Sequence, residues 1–208
     1  IETSILDEKP AGRQPIDTRI LPDSRIEDVF SGAGRALTRD ERIFWVCPRV
    51  DNDGDMPSAL GRYAMLKEFF GDAVGLVHGR LSAKDKEAAL EAFRRGDTRI
   101  LVATTVIEVG VDVPEATIMV IEAAESFGLA QLHQLRGRVG RGSKPSFCLL
   151  VYTPPLGETA KKRLQTLRDS DDGFYIAEVD FKLRGPGDIL GSEQSGLPDF
   201  RFIDLSRH

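Results

Sequence analysis

The amino-acid sequence predicts an α/β fold in which a parallel sheet is flanked by helices and followed by a C-terminal helical hairpin and loop. Apolar runs of about five residues, rich in β-branched types and without polar alternation, recur along the chain, which is typical of strands buried on both faces of a sheet. Helical patterns separate these runs, so right-handed crossovers in a three-layer arrangement are expected. The strands are predicted at residues 43–47, 73–77, 99–103, 117–121 and 147–151.

Three helices are predicted between the strands. One begins at a capping-box-like start, Ser82, and ends at Gly96. Another covers about residues 130–140. The earliest lies within residues 57–70, where the apolar residues at helical spacing are Leu60, Tyr63, Leu66 and Phe70.

Both flanks of this region depart from the alternating pattern. Residues 7–22 contain three prolines and are predicted to form a linker that feeds an edge strand. From residue 157 onward the strand-like apolar runs no longer recur, and two amphipathic helices are predicted to form a hairpin. The second of these helices is predicted to place Phe174, Ala177 and Phe181 on one side.

The composition is that of a soluble globular protein. The chain has 208 residues, of which 41% are hydrophobic and 29% charged. No apolar run approaches the length needed to span a membrane. The sequence begins at Ile1 without a methionine or a signal peptide, so a fragment of a longer protein is expected. Cys47 and Cys148 both lie inside apolar runs and are expected to be buried small hydrophobes in a cytosolic protein.

The net charge of −5 at first argues against a nucleic-acid partner. Phosphate contacts depend on local patches, however, so net charge is a weak guide. The acidic residues concentrate at 51–55, 122–125 and 168–172, away from the arginine cluster described next.

Arginines and glycines alternate in QLRGRVGRG, residues 134–142. Arg138 and Arg141 are three residues apart, so on a helix they would share a face, and Gly137 and Gly140 would let that helix approach a neighbour closely. Arginine presents a planar, permanently charged fork that suits phosphate oxygens. The segment therefore predicts stabilisation of a transferred phosphate, the alternative being a plain basic helix. Arg136 lies two residues before Arg138 and would not share the helix face of that pair, so it is expected to be structural or DNA-facing.

Polar residues follow two of the predicted strands, where ligands bind in a parallel sheet. Thr104 and Thr105 offer hydroxyl and backbone N–H groups to a phosphate, and Gly110 permits close backbone approach. Asp112 offers a carboxylate to a ribose hydroxyl, although Asp-Val-Pro could equally be a simple turn.

After the strand at 73–77, Gly79 and Arg80 provide a second candidate phosphate contact. The P-loop pattern GxxxxGK[ST] occurs nowhere in the 208 residues. The phosphate cradle and the metal site for any nucleotide must therefore come from elsewhere.

Two long segments resemble a known family. Residues 101–142, containing VATTVIEVGVDVPEA and GLAQLHQLRGRVGR, resemble motifs V and VI of superfamily 2 helicases of the RecG and Mfd branch. Residues 168–205, with their DGF, LRGPG, LG and QSG elements, resemble RecG-type helicases. The likeness extends over nearly the whole chain, and its motifs are long and specific.

This resemblance implies the second motor lobe of an ATP-dependent DNA helicase, an ATP hydrolase that remodels branched DNA and stalled replication forks in repair and recombination. It implies a linker and edge strand at 1–24, a RecA-like helicase lobe at 25–156 and a translocation-motif hairpin and loop at 157–208. ATP and Mg²⁺ would be held mainly by a first lobe, so the 208-residue chain alone is expected to lack ATPase activity. The implied partners are DNA junctions and forks and the first lobe and wedge domain of the same protein, in a bacterial cytoplasmic monomer.

The resemblance also assigns expected roles to individual residues. Arg138 and Arg141 match the motif VI arginines that reach across the cleft to ATP, and Gln134 matches the first residue of that motif. Motif V contributes Gly110 and Asp112 on the nucleotide side and Thr104 and Thr105 on the DNA-backbone side. The translocation loop is matched by Arg184, Gly185, Gly191 and Gln194.

Two alternative functions remain open on the sequence alone. An Mfd-like transcription-repair translocase shares the hairpin and an R-G-x-G-x-x-L-G-x-x-Q element. A non-catalytic α/β interaction module would account for the missing P-loop and the acidic charge, but not for the arginine–glycine segment. The chain stops at His208, where RecG-type relatives usually continue, and the acidic loop 51–55 is assigned no role.

Overall fold

A computed structural model describes residues 15–108 and 111–188 of the chain. The strands are short and almost entirely apolar. They are β1 (Ile16–Pro22), β2 (Arg42–Val46), β3 (Val74–Val77), β4 (Ile100–Ala103), β5 (Ala116–Ile121) and β6 (Ser146–Tyr152). The helices that connect and follow them are α1 (Ile26–Thr38), α2 (Ala59–Phe70), α3 (Ala83–Arg95), α4 (Leu129–Arg136), α5 (Glu158–Asp169) and α6 (Gly173–Asp188).

The six strands form one sheet in the order β1-β6-β5-β2-β4-β3, and every pairing is parallel. Parallel neighbours cannot be joined by tight hairpins, so the connections cross the faces of the sheet and carry the helices there. The predicted α/β fold with a parallel sheet is confirmed. β1 lies at the sheet edge beside β6, and the predicted linker before it lies outside the described residues.

The two faces of the sheet are covered unequally. One core contains residues from α3, α4, α5 and α6, such as Phe93, Leu132, Leu164 and Ile176. The other contains only α1 and α2 against the sheet, with Trp45 among its fully buried side chains. The hairpin residues share the first core with the strands, so α5 and α6 pack on the sheet itself.

The structure corrects several local predictions. Helix α1 was not predicted, because Gly32 and Gly34 lower helix propensity and two of its four buried residues are alanines. Helix α4 ends at Arg136 rather than near residue 140, because Gly140 adopts a left-handed conformation that no helix continues through. Leu60 in α2 is 39% exposed, so the predicted apolar face of that helix is only partly buried.

The predicted buried side of α6 is wrong. Phe174 and Phe181 are 88% and 61% exposed, while Ile176 and Val179 are buried instead. Ile176 and Val179 pack into the core shared with α4 and α5, which rotates the aromatic positions outward. Both capping predictions for α3 are confirmed, since Ser82 Oγ accepts a hydrogen bond from Asp85 N and Gly96 adopts a left-handed conformation with φ 81°.

A buried ion pair links α2 to the end of β5. Arg62 donates from Nη2 to Glu122 Oε1 at 2.5 Å and from Nε to Oε2 at 2.7 Å. The indole N–H of Trp45 donates to the same Oε2 at 2.7 Å. The Arg62 guanidinium also lies over the rings of Phe30 and Trp45. The Glu122 side chain is only 3% exposed, so its charge depends on these donors.

Removing Arg62 should destabilise the fold strongly. We expect Arg62→Ala to lower the free energy of unfolding by about 3–5 kcal/mol, because Glu122 is left buried without its counter-charge. The matched control is Arg25→Ala, which breaks the exposed Arg25–Asp28 pair and should cost less than about 1 kcal/mol. Urea denaturation of the 208-residue chain measures both. A similar small loss for the two variants would contradict the importance of the pair.

Candidate nucleotide and nucleic-acid site

The arginine-rich segment after α4 is a turn, not a helix. Gly137 caps α4 through its N–H, which donates to His133 O at 3.1 Å, and the bond from Arg138 N to Leu135 O continues the turn. Gly140 then takes φ 76°, a left-handed conformation that ends any helical path. The prediction that Arg138 and Arg141 share a helix face is therefore wrong. They lie instead in what we call the arginine turn, residues 137–142.

The arginine turn is docked on residues 111–115, which we call the Asp112 loop. Arg138 Nη1 donates to the carbonyl oxygen of Val111 at 3.3 Å. Arg141 Nη1 donates to Asp112 Oδ1 at 3.2 Å. A Cβ at Gly142 would lie 2.7 Å from the carbonyl oxygen of Pro114, so only glycine allows this approach. The structure thus brings together three residues predicted to serve a nucleotide.

Arg141 is held in place but remains accessible. Its Nε donates to Gly137 O at 3.0 Å, while its side chain is 37% exposed and that of Asp112 is 67% exposed. An ion pair this open to solvent contributes little stability. A multiply charged phosphate would bind the same guanidinium more strongly, so Arg141 can exchange Asp112 for such an anion at small cost.

The residues predicted to face DNA form a separate cluster at the carboxyl ends of β3 and β4. Thr104 follows β4 directly and is 7% exposed, and its N–H donates to Val77 O at 3.4 Å. Thr105 begins a short 3-10 helix, Thr105–Glu108. A Cβ at Gly79 would lie 3.8 Å from Val106 Cγ1, which places the turn after β3 beside that short helix.

Arg80, on the same turn, forms an exposed ion pair with Asp51 of the acidic loop. The hydrogen bond from Arg80 holds the pKa of Asp51 below its ordinary value. The sequence did not predict this contact of the acidic loop, because Arg80 and Asp51 lie 29 positions apart in different loops.

The remaining predicted site residues are dispersed. Gln134 is exposed on α4. Arg184 is exposed on α6 and pairs with Asp180 at 3.1 Å. Gly185 has φ 71° and interrupts the helical geometry of α6. Gly110, Gly191 and Gln194 lie outside the described residues.

Arg136 is structural rather than DNA-facing. Its side chain is 3% exposed, and it donates to the carbonyl oxygens of Leu167 and Ser170, the latter at 3.0 Å. It also donates to Thr18 Oγ1 of β1 at 3.4 Å. One side chain therefore connects the helix before the arginine turn to the junction between α5 and α6 and to the sheet edge.

Both cysteines are free and buried, as predicted. Burial raises the pKa of Cys148 to about 12 and that of Cys47 well above its ordinary value. The thiols therefore stay protonated near neutral pH and are poor nucleophiles.

Two family models match this chain. The model for the helicase conserved C-terminal domain matches residues 27–143, which include both segments. The chain belongs to the helicase conserved C-terminal domain family. A second model, described as ATP-dependent DNA helicase RecG, domain 3, C-terminal, matches residues 170–208.

The most similar curated relatives include three named ATP-dependent DNA helicase RecG. The Escherichia coli K12 protein is 47% identical over 100% of this chain and 30% of the relative. The Synechocystis protein is 49% identical over 99% of this chain and 25% of the relative. The Bacillus subtilis protein is 42% identical over 99% of this chain and 30% of the relative. The chain thus spans about a third or less of the length of these relatives.

Solved helicase structures share the fold of this chain. A structure of RecG bound to a three-way DNA junction matches with a TM-score of 0.75 and 44% identity, over 88% of this chain and 24% of that chain. Yeast Dbp5 bound to RNA and ADP BeF3 matches with a TM-score of 0.58 and 16% identity, over 84% of this chain and 48% of that chain, which shows a shared fold. The fold is a RecA-like helicase lobe. These matches lend no support to the Mfd-like or interaction-module alternatives.

Within residues 15–108 and 111–188, no helix is both long and apolar enough to cross a bilayer.

The contact between Gly142 and Pro114 should make position 142 intolerant of any side chain. We expect Gly142→Ala to lower the free energy of unfolding, because its Cβ meets a backbone oxygen that cannot move aside. The control is Gly32→Ala in α1, whose Cβ would meet only the flexible end of Arg35 at 3.7 Å. That substitution should stabilise the chain by up to about 1 kcal/mol through helix propensity. Thermal unfolding of both variants measures the contrast, and a neutral Gly142→Ala would show that the turn docks elsewhere.

Proposed function

We propose that this chain is the second motor lobe of an ATP-dependent DNA helicase of RecG type that remodels branched DNA and stalled forks in repair and recombination. The observation that supports it best is the docking of the arginine turn on the Asp112 loop, which presents Arg141 to solvent beside a carboxylate. The 208 residues contain no P-loop, so this arrangement is half of a nucleotide site.

The nucleotide-side residues fit ATP by their chemistry. Bound ATP would supply the phosphoanhydride bond that is hydrolysed. Arg138 and Arg141 would stabilise negative charge on its terminal phosphate as the bond breaks. Asp112 would accept a hydrogen bond from a ribose hydroxyl once Arg141 turns to the phosphate. Gly110 would allow close backbone approach, while Mg²⁺ and the phosphate cradle belong to the first lobe.

DNA contacts are proposed for the cluster at the ends of β3 and β4. Thr104 and Thr105 would donate to backbone phosphates, and Gly79 would let the strand approach. Arg80 would exchange Asp51 for a phosphate. Such contacts position a nucleic-acid backbone without reading its sequence. Gln134, exposed on α4, would connect the nucleotide cleft to this surface.

Arg136 is proposed to transmit closure of the lobes to the hairpin. It joins α4, which leads into the arginine turn, to the carbonyl oxygens at the end of α5. A displacement of the turn on ATP binding would therefore move α5 and α6. The translocation loop, with Arg184, Gly185, Gly191 and Gln194, would carry this movement to DNA.

The division into residues 1–24, 25–156 and 157–208 remains part of the proposal, as do a monomeric state and a bacterial cytoplasmic location. The first lobe and a wedge domain of the same protein are proposed as its partners.

Removing Arg141 in the full-length protein should impair turnover more than binding. We expect Arg141→Ala to lower kcat for DNA-stimulated ATP hydrolysis about 10³-fold, with a much smaller change in ATP affinity, because the charge it neutralises develops in the transition state. The control is Arg95→Ala, which removes an exposed side chain at the end of α3 and should leave both unchanged. Equal losses of kcat and affinity would make Arg141 a ground-state binder. DNA-stimulated ATPase activity by the 208-residue chain alone would overturn the proposed function.

Arg136 should couple hydrolysis to movement. We expect Arg136→Lys to lower the fork base pairs unwound per ATP about tenfold, because lysine cannot span the carbonyl oxygens of Leu167 and Ser170 with a planar fork. DNA-stimulated ATPase activity should fall much less. The control is Arg168→Ala, which removes an exposed pair on the same hairpin. If ATPase and unwinding fall in parallel, Arg136 only stabilises the fold.

A further inference from the structure

Part of the sheet is not covered by a helix of the described chain. Side chains alternate along β1 and β6, and one set faces the core that contains α5. The other set faces the side of α1 and α2, which lie over β2, β3 and β4. On that side, Leu21, Phe147 and Leu149 remain only half-buried. Strands of parallel sheets are normally covered on both faces, and within residues 15–108 and 111–188 no helix completes that cover over these side chains.

These half-buried residues form the floor of a groove of about 410 Å³ between α1 and the sheet. The floor is apolar and continues inward to Ile118 and Val120. Its rim carries four guanidinium groups, from Arg19, Arg25, Arg35 and Arg39.

The rim is more cationic than acidic. Asp28 is the carboxylate among the lining residues, and it pairs with Arg25 at 2.9 Å. Arg19 pairs with Asp17 in a contact that is largely open to solvent, whereas the exposed Arg39 pairs with the buried carboxylate of Glu41. Arg35 forms no ion pair with any residue of the described chain. The Arg19 guanidinium also lies 5.6 Å from the centre of the Phe147 ring, partly shielding the floor.

We propose that this groove binds an amphipathic helix from elsewhere in the same polypeptide, with carboxylates on either side of an apolar stripe. A helix is the element that covers the face of a parallel sheet, and an anionic border on it would complement Arg35 and the excess of arginines over carboxylates along the groove. The chain spans only about 30% of its relatives, so most of such a polypeptide lies outside these residues. A tethered segment acts at a high effective concentration, which favours it over a second molecule. This inference relies on the proposed function only for membership of a longer protein.

Photo-crosslinking from the groove in the full-length protein tests this. Gly32→Cys places a thiol on the groove wall, where its Cβ makes only ordinary contact with Arg35. Cys47 and Cys148 are retained because they are buried, and other reactive cysteines are replaced by serine. A benzophenone maleimide is attached and irradiated, and the crosslinked peptides are identified by mass spectrometry. We expect an intramolecular crosslink to a helix outside these 208 residues that bears Asp or Glu beside an apolar stripe.

Two variants make the result specific. Ala88→Cys, exposed on α3 on the opposite face, should give no crosslink to that helix. Arg35→Glu should lower the yield from position 32 about tenfold, since it opposes like charges across the contact, while Arg35→Lys should retain it. Arg39→Cys at the rim serves as a second reporter if Gly32→Cys folds poorly.

Three outcomes would overturn the inference: crosslinks confined to residues of the groove itself, crosslinked dimers, or crosslinks to a segment without carboxylates. DNA-stimulated ATPase activity is measured on the same unirradiated protein. If the protein is active but gives no crosslink, the proposal that a helix binds the groove is refuted, and the proposed function is not. If the crosslink forms but the protein has no activity, only the proposed function is refuted.

Discussion

The parallel direction of all six strands is the constraint on which the rest of the structure depends. Each strand must be followed by a crossover, so loops gather at the two ends of the sheet and helices cover its faces. The polar residues after β3 and β4 meet at one end for this reason. The Asp112 loop and the arginine turn instead precede β5 and β6, neighbouring strands that start at the other end. The two clusters of predicted ligand contacts are thus separated by the architecture itself.

A buried arginine then connects parts that the sheet alone would leave independent. Arg136 reaches β1 and the end of α5 from the last turn of α4. Because its charge is almost completely desolvated, its hydrogen bonds cannot be replaced by water without cost. Arg136 therefore joins the hairpin and the sheet edge to the helix that leads into the arginine turn.

The sequence predicted the sheet well because buried strands leave a local record, a short apolar run, that does not depend on tertiary contacts. It did not predict α1, because the glycines and alanines of this helix give a weak apolar pattern, and the helix is stabilised by packing on the sheet. The side of α6 was wrong for a related reason: Phe174 and Phe181 are the bulkiest apolar side chains of that helix, yet Ile176 and Val179 are the ones that pack into the core shared with α4 and α5. The family motifs pointed to Asp112 and Arg141 as partners in one site. That Gly142 must lack a side chain, and that Asp51 holds Arg80, depends on contacts between distant loops that no spacing encodes.

Two arginines proposed to meet phosphates, Arg80 and Arg141, each already carry an exposed carboxylate partner. The protein therefore supplies its own counterions at these positions in place of ions from solution. When such an arginine turns to a phosphate, it displaces a tethered aspartate, and few bound salt ions are released from the protein side. At the Arg80 position, the liberated Asp51 would then lie close to the incoming anion and oppose its tight retention. Under the proposed function, such tethered competitors would help a bound phosphate to be released in each cycle, and they would reconcile the acidic net charge of the chain with anionic partners.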